Sequence, residues 1–201
     1  MSEVPAIILA AGSSSRMGVP KQLLPIHKMT LLEHCLKNIK DSAVSTTICV
    51  LGANSAQILD EVKDKEVIFI CNKDWKKGLS SSIQAGVRYL RDYSKSHQGI
   101  LITLADQPEI SSQYYNELLH HFSRYPDHII ASRYDTRCGV PAIFPEIHTQ
   151  SLMDLEGDRG AGSFLNSIQE NIISVNNNIN LMDLDTPEQY KVYLQKINFS
   201  S

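Results

Sequence analysis

A turn rich in glycine and serine, followed by two cations, is the first stretch with residues suited to chemistry. It runs from Gly12 to Gly18, shortly before Lys21. Glycine and small hydroxyl residues let successive backbone N–H groups face an anion at close range. Arg16 adds a planar fork of donors and Lys21 a compact ammonium, a pair suited to a polyphosphate. The stretch predicts a phosphate loop with both cations on its surface, although a plain serine-rich turn is the alternative.

The spacing of the glycines excludes two well-known phosphate loops. A Walker A loop closes with Gly-Lys followed by Ser or Thr, and a dinucleotide-binding turn has the pattern Gly-x-Gly-x-x-Gly. Gly12 and Gly18 fit neither pattern. The predicted phosphate loop must therefore belong to another class.

Three aspartates are candidates for holding a metal ion. Asp106 follows the apolar stretch 99–105, so it is expected at the carboxyl end of a buried strand, where α/β proteins bind ligands. An aspartate that only caps the next turn is the alternative. Asp183 and Asp185 lie two residues apart in a predicted short strand at 182–185, which would place both carboxylates on one face. Two like charges on one face repel each other unless they are solvated or bound to a cation.

Strands and helices alternate along the chain, and they are the elements that must position these side chains. Apolar stretches predict strands at 7–9, 46–51, 67–71, 99–105, 128–132 and 142–144. Helical spacing and capping residues predict helices after Thr30, at 55–62, 81–93, 112–122 and 163–170, and after Thr186. This alternation favours an α/β fold in three layers, with a mostly parallel sheet in a single domain spanning residues 1–201.

Composition excludes several classes of partner. A net charge of −3 and a pI near 6.1 provide no general attraction to nucleic acid or anionic lipid. No apolar run approaches the roughly 18 to 20 residues of a membrane span. The first residues are too few and too acidic for a signal peptide, so we expect a cytoplasmic protein. The four cysteines, Cys35, Cys49, Cys71 and Cys138, form no Cys-x-x-Cys pair, which predicts reduced core residues.

The first turn resembles the signature of nucleotidyltransferases with a GT-A-like, Rossmann-related fold. Its Leu-Ala-Ala-Gly opening is most similar to the molybdenum cofactor cytidylyltransferases, which are MobA-like NTP transferases. The stretches Asn-x-Asp-Trp-x-x-Gly-x-x-Ser-Ser and Ala-Asp-x-Pro match further elements of that family. The resemblance implies that a nucleotide is bound by Leu9, Ala10, Ala11, Gly12, Ser13, Arg16, Lys21, Ser80, Ser81 and Asp106. It also implies catalytic roles for Arg16, Lys21 and Asp106, and a Mg²⁺ ion held by Asp106 with Asp183 or Asp185.

Two further elements resemble the acceptor side of that family. Residues 138–141 are predicted to form the loop before the strand at 142–144. The Gly-Val-Pro in this loop matches a Gly-x-Pro-x-x-Phe element, except that Val140 stands where many relatives have histidine. A later turn matches Gly-Asp-x-Gly-Ala-Arg, except that Gly162 replaces the arginine, and Arg159 could supply the missing cation. A plain loop that leads into a helix is the alternative for this turn. The acceptor-binding residues implied by the resemblance are Gly139, Pro141, Gly157 and Asp158.

The function implied by the resemblance is a Mg²⁺-dependent transfer of CMP from CTP to molybdenum-bearing molybdopterin, with release of pyrophosphate. A molybdoenzyme or its chaperone is the implied recipient of the product. Ala11 points to cytosine, because related guanylyltransferases have glycine at this position. Two alternatives remain open: a transferase that acts on a sugar phosphate or other alcohol phosphate, and an accessory protein that binds nucleotide or cofactor without turnover.

Overall fold

A seven-stranded sheet forms the centre of the computed structural model, which describes residues 3–93, 96–135, 137–158, 160–167, 171–176 and 182–199. The strands are β1 (Ala6–Ala10), β2 (Pro25–Ile26), β3 (Met29–Thr30), β4 (Thr47–Leu51), β5 (Val67–Cys71), β6 (Gly99–Leu104), β7 (Ile129–Tyr134), β8 (Arg137–Pro145) and β9 (Ile172–Val175). The helices are α1 (Leu31–Lys40), α2 (Ser55–Glu61), α3 (Leu79–Tyr93), α4 (Ser112–Arg124), α5 (Thr149–Met153), α6 (Ala161–Ser167) and α7 (Pro187–Phe199). Strands β2 and β3 pair separately from the large sheet.

The order of the strands explains where the site forms. The sheet runs β5-β4-β1-β6-β8-β7-β9, and its neighbours are parallel except that β8 is antiparallel to both β6 and β7. The carboxyl ends of β1, β4, β5 and β6 therefore meet at one edge. The predicted α/β architecture with a mostly parallel sheet is confirmed.

Apolar side chains cover both faces of the sheet and give it three layers. In β1, Ile7 and Leu9 pack in one cluster with residues of α3, α5 and α6, whereas Ile8 and Ala10 pack in another with residues of α1, α2 and α7. This two-sided burial is typical of parallel sheets and explains the unbroken apolar strands. Helix α3 approaches β1 closely at Gly86, where an added Cβ would lie 2.7 Å from the Cγ2 atom of Ile7.

Helix starts follow the local signals in most places. Thr30 caps α1 by accepting the Glu33 N–H at 3.2 Å, and the Glu33 carboxylate accepts the Thr30 N–H at 2.7 Å. The predicted capping box is therefore present. Helix α3 begins at Leu79, two residues before its predicted start. None of the described helices combines the length and the apolar character needed to cross a bilayer.

Three predictions of local structure are wrong. Residues 138–141 were expected in a loop, but they lie within β8, which pairs with β7 through an irregular register. Residues 182–185 form no strand, and the Leu184 N–H donates instead to the carbonyl of Asp106, just after β6. Cys71 is exposed at the end of β5 and Cys138 is only half-buried in β8, whereas Cys35 and Cys49 lie in the core as predicted.

Candidate active site

The loop after β1 is held in shape by a buried glutamine. Gln22 is 2% exposed, and its Nε2 donates to the carbonyl oxygens of Ala10 and Gly12 at 2.8 and 3.2 Å. Ser14 adopts a left-handed backbone with φ of 55°, and its Oγ accepts the Lys21 N–H at 3.0 Å. These bonds tie the loop to the short helix that carries Lys21. They also occupy carbonyl oxygens that would otherwise repel a phosphate.

Lys21 is the centre of a charged cluster. Its Nζ lies 2.5 Å from Asp106 Oδ2 and 2.8 Å from Asp185 Oδ1. Arg16 Nη2 lies 3.3 Å from Asp185 Oδ2. The Lys21 side chain is only 14% exposed, whereas that of Arg16 is 70% exposed. The expectation that both cations lie on an open surface is therefore correct for Arg16 and wrong for Lys21.

The cluster sets the ionisation of its members. Burial alone would lower the pKa of Lys21, but Asp106 and Asp185 outweigh it and hold that pKa above its ordinary value. The hydrogen bond from Lys21 lowers the pKa of Asp185. Burial, and next the charge of Asp106, raise the pKa of Asp183 to about 6. Lys21 and Asp185 are therefore charged at neutral pH, and Asp183 takes up a proton in mildly acidic solution.

A chain of hydrogen bonds connects Asp183 with β8. The Nε2 of Gln107 donates to Asp183 Oδ1 at 2.7 Å and to the Tyr134 hydroxyl at 2.8 Å. The Tyr134 hydroxyl in turn donates to the Val140 carbonyl. Burial raises the pKa of Tyr134, so its hydroxyl stays protonated as a donor. Gln107 and Tyr134 were missed in the sequence; the position of Gln107 directly after Asp106 was the one available signal.

The carboxylates fit a divalent ion that is only partly held by protein. Asp106 Oδ1 is buried and has no hydrogen-bond partner among the described residues. Asp106, Asp183 and Asp185 line the same pocket. Within the described part of the chain, no three His, Cys, Asp or Glu side chains are arranged around a common ion position. Magnesium commonly uses one or two carboxylates together with substrate phosphates and water, which suits this sparse set.

Two pockets adjoin at the carboxyl ends of β1 and β6. The cradle pocket, lined by the phosphate loop and the three aspartates, has a volume of about 440 Å³. The outer pocket, lined by Gln107 and the β7–β8 segments, has a volume of about 810 Å³. The residues that border both are Leu79, Leu104, Asp158 and Asp183. A ligand in one pocket can therefore reach a ligand in the other.

The structure brings most of the predicted site residues to these pockets. Leu9, Ala11, Gly12, Ser13, Asp106, Asp183 and Asp185 line the cradle pocket, and Gly139 and Asp158 line the outer pocket. Asp158 also lines the cradle pocket. Ala10 and Pro141 are buried in β1 and β8. Arg159 lies outside the described residues.

Ser80 and Ser81 use their hydroxyl groups within the protein. Ser80 Oγ donates to the Gly157 carbonyl at 2.7 Å, and Ser81 Oγ donates to the Gly78 carbonyl at 2.8 Å. Gly78 has a φ of 101°, and a side chain there would clash with the Gly157 carbonyl. The next residue, Ser82, lines the cradle pocket. Contact of Ser80 and Ser81 with a nucleotide stays a prediction.

Comparison with known protein families identifies the class of the chain. Residues 6–172 match the model of the MobA-like NTP transferase domain. The chain belongs to this family. The match includes the phosphate loop, Lys21 and Asp106 and ends before Asp183 and Asp185. As a MobA-like protein the chain is a nucleotidyltransferase, and the resemblance found in its motifs is confirmed.

Relatives of this MobA-like chain have different names. It is 29% identical over 197 residues to nicotine blue oxidoreductase of Paenarthrobacter nicotinovorans, covering 92% of this chain and 94% of the relative. It is 28% identical over 195 residues to purine catabolism protein PucB of Bacillus subtilis, covering 92% of each. Over 88 residues it is 35% identical to molybdenum cofactor cytidylyltransferase of Escherichia coli, covering 43% of this chain and 45% of the relative.

Solved structures agree with the MobA-like fold. The homologue of Rv0371c from Mycobacterium sp. strain JC1 is 27% identical, has a TM-score of 0.86 and covers 98% of both chains. The manganese complex of Rv0371c from Mycobacterium tuberculosis is 23% identical, has a TM-score of 0.78 and covers 96% of this chain and 99% of its own. The second likeness supports the fold alone.

Proposed function

We propose that this MobA-like protein transfers CMP from CTP to a phosphate group of molybdenum-bearing molybdopterin and releases pyrophosphate. The observation that carries the proposal is a pocket lined by the predicted phosphate loop and Asp106, the ion-pair partner of Lys21, which adjoins a second and larger pocket. A protein that only bound a nucleotide would not need a second pocket open to the first. Donor and acceptor in neighbouring pockets are what a group transfer requires.

The cradle pocket is the proposed site of CTP. Its phosphates would lie against the loop that Gln22 supports, within reach of the exposed Arg16. The base would lie beside Ala11, and the Cβ of Ala11 packs closely against the backbone of Gly52. A Cβ added at Gly52 would lie 2.8 Å from the Ala11 Cβ and 2.6 Å from the Trp75 Cβ. Ala11 therefore has no space to move away from a larger base. One methyl group typically gives about 1 to 3 kcal/mol of discrimination, so hydrogen bonds to cytosine must supply the rest.

The outer pocket is the proposed site of the acceptor. Its volume of about 810 Å³ suits a large ligand. Arg137 is the one cation among its described lining residues, and it can pair with an acceptor phosphate. Molybdopterin and CTP together are supported by the name of the Escherichia coli relative. A sugar phosphate remains the alternative acceptor, because Val140 and Gly162 depart from the family pattern.

The proposed reaction is a single displacement at phosphorus. An oxygen of the acceptor phosphate bonds to the α-phosphorus, the bond to the bridging oxygen breaks, and pyrophosphate leaves with that electron pair. Arg16 and Lys21 stabilise the negative charge on the phosphates, so most of the catalysis comes from positioning and charge. A Mg²⁺ ion held by Asp106 with Asp183 or Asp185 would add charge stabilisation.

Pyrophosphate release tests the proposal. Purified protein with Mg²⁺, CTP and molybdenum-bearing molybdopterin should release pyrophosphate, and kcat/KM should be higher for CTP than for GTP. Ala11→Gly should reduce this preference by about tenfold or more. The control Ala43→Gly changes an exposed residue and should leave the preference unchanged.

Each failure has a distinct meaning. Equal or better use of GTP by the parent protein would reject the cytidylyl assignment and leave the nucleotidyltransferase class intact. Turnover with a sugar phosphate in place of molybdopterin would reject the acceptor. Tight CTP binding without pyrophosphate release from any acceptor would favour an accessory protein that delivers a nucleotide or cofactor to a partner such as a molybdoenzyme.

A further inference from the structure

One ammonium group bridges two carboxylates that are candidates for holding a metal ion. Lys21 Nζ contacts Asp106 Oδ2 at 2.5 Å and Asp185 Oδ1 at 2.8 Å. The two oxygen atoms therefore converge on a single point, and a cation already occupies that point. A divalent ion that used both oxygens would have to take the place of the ammonium, since two cations so close together repel each other strongly.

We propose that Lys21 makes this site selective for a metal–nucleotide complex over a free divalent ion. The inference rests on the proposed function, because it takes nucleotide phosphates as the second partner of Lys21. Without phosphates, the ammonium and a free ion compete for Asp106 and Asp185. With phosphates, the ammonium has another anion to pair with, and the two carboxylates become available.

The surroundings of Lys21 suit a side chain with two positions. Its backbone N–H is fixed by the hydroxyl of Ser14 inside the phosphate loop, so its Cα is anchored beside the expected phosphates. Its side chain has four flexible carbons, and an ammonium is a point charge without a required orientation. Because the side chain is 14% exposed, water screens the pairs with Asp106 and Asp185 only weakly. The ion pairs therefore hold Lys21 in place until a comparable anion arrives.

The loss of affinity for a free ion depends on how often Lys21 leaves both carboxylates, because only then can the ion bind them. If Lys21 leaves both carboxylates in one molecule out of ten or fewer, apparent affinity for a free ion falls by about tenfold or more. Removing the ammonium should raise the affinity for a free ion by the same factor. The nucleotide should restore it as well, so metal and nucleotide bind with positive coupling in the parent protein.

Manganese titration followed by electron paramagnetic resonance measures this directly. In the absence of nucleotide, Lys21→Met should bind Mn²⁺ about tenfold or more tightly than the parent protein. The double variant Lys21→Met/Asp106→Asn should lose that gain, because it removes one of the released carboxylates. Lys37→Met is the matched control: it removes the same charge from an exposed pair with a single carboxylate, Asp41, and should not change the affinity.

Three outcomes would overturn the inference. They are equal Mn²⁺ affinity of the parent and Lys21→Met, an equal gain in Lys37→Met, and a gain that survives in the double variant. Circular dichroism checks that each variant is folded, and Lys21→Gln replaces Lys21→Met if the latter is not. The nucleotide-free comparison does not depend on the donor or acceptor. If the Mn²⁺ comparison fails while pyrophosphate is released, only the role of Lys21 in metal selectivity is rejected. If pyrophosphate release fails while Lys21→Met binds Mn²⁺ more tightly, only the proposed function is rejected.

Discussion

Replacing Asp183 with asparagine should stabilise the protein at neutral pH. The Asp183 carboxylate is partly buried beside the charges of Asp106 and Asp185, and burial is the larger of these effects. Asparagine has nearly the same shape and keeps an oxygen to accept the Gln107 hydrogen bond. Asp183→Asn therefore removes an unfavourable charge and leaves a favourable contact in place.

The raised pKa of Asp183 sets the size and the pH range of the effect. Its value of about 6 in the folded protein exceeds the ordinary 3.8, so the folded state binds this proton more tightly than the unfolded state. The stabilisation that protonated Asp183 gives to the folded state is fully present below about pH 4 and is lost as the pH rises through about 6. The difference between these pKa values corresponds to a ceiling of about 3 kcal/mol. Solvent screening of a partly exposed group reduces this, and we expect about 1 to 2 kcal/mol at pH 7.5.

Urea unfolding followed by circular dichroism measures the difference in metal-free buffer between about pH 4 and about pH 7.5. Asp154→Asn is the matched control, because Asp154 is exposed and also accepts a glutamine hydrogen bond, from Gln150 at 2.8 Å. It should change the free energy of unfolding by less than about 0.5 kcal/mol throughout. Two results would rule out an unfavourable Asp183 charge: an Asp183→Asn variant no more stable than the parent at neutral pH, or an advantage that persists undiminished near pH 4.

Two further substitutions separate catalysis from folding. Arg16→Ala removes a proposed phosphate partner and should lower kcat/KM by about a hundredfold. The free energy of unfolding in urea should change by less than about 0.5 kcal/mol. A near-parental rate would remove Arg16 from the site. Gln22→Leu leaves the Ala10 and Gly12 carbonyls without their donor and should cost about 1 to 3 kcal/mol of stability. It should also raise KM for the nucleotide more than it lowers kcat, and an unchanged KM would mean that the loop keeps its shape without Gln22.

Much of the fold was predictable because burial leaves a signal in residue type. Strands such as β4 and β6 are buried on both faces, and unbroken apolar stretches mark them in the sequence. The capping box at Thr30 is likewise a local signal, and it forms as predicted. Asp106 was predicted from its place after such a strand, and the structure places it at the carboxyl end of β6.

Residues whose role depends on distant partners could not be predicted in the same way. The segment 182–185 alternates apolar and acidic residues like a half-buried strand, yet its aspartates bond to Gln107 and Lys21 from distant parts of the chain. Tertiary contacts of this kind override local pattern. Gln22 was missed for a related reason: a single glutamine has no periodicity, and its value lies in the loop carbonyls that need a donor.

The close approach of Gly78 to Gly157 joins two segments that are far apart in the sequence. Gly157 accepts hydrogen bonds from both the backbone and the side chain of Ser80, and a Cβ added at Gly78 would lie 2.4 Å from the Gly157 carbonyl oxygen. The two segments are therefore held together as one unit, and Asp158, next to Gly157, borders both pockets. If the two pockets hold nucleotide and acceptor as proposed, a mutation that reshapes this turn for a new acceptor should also alter the nucleotide pocket, and the two substrate preferences should evolve together.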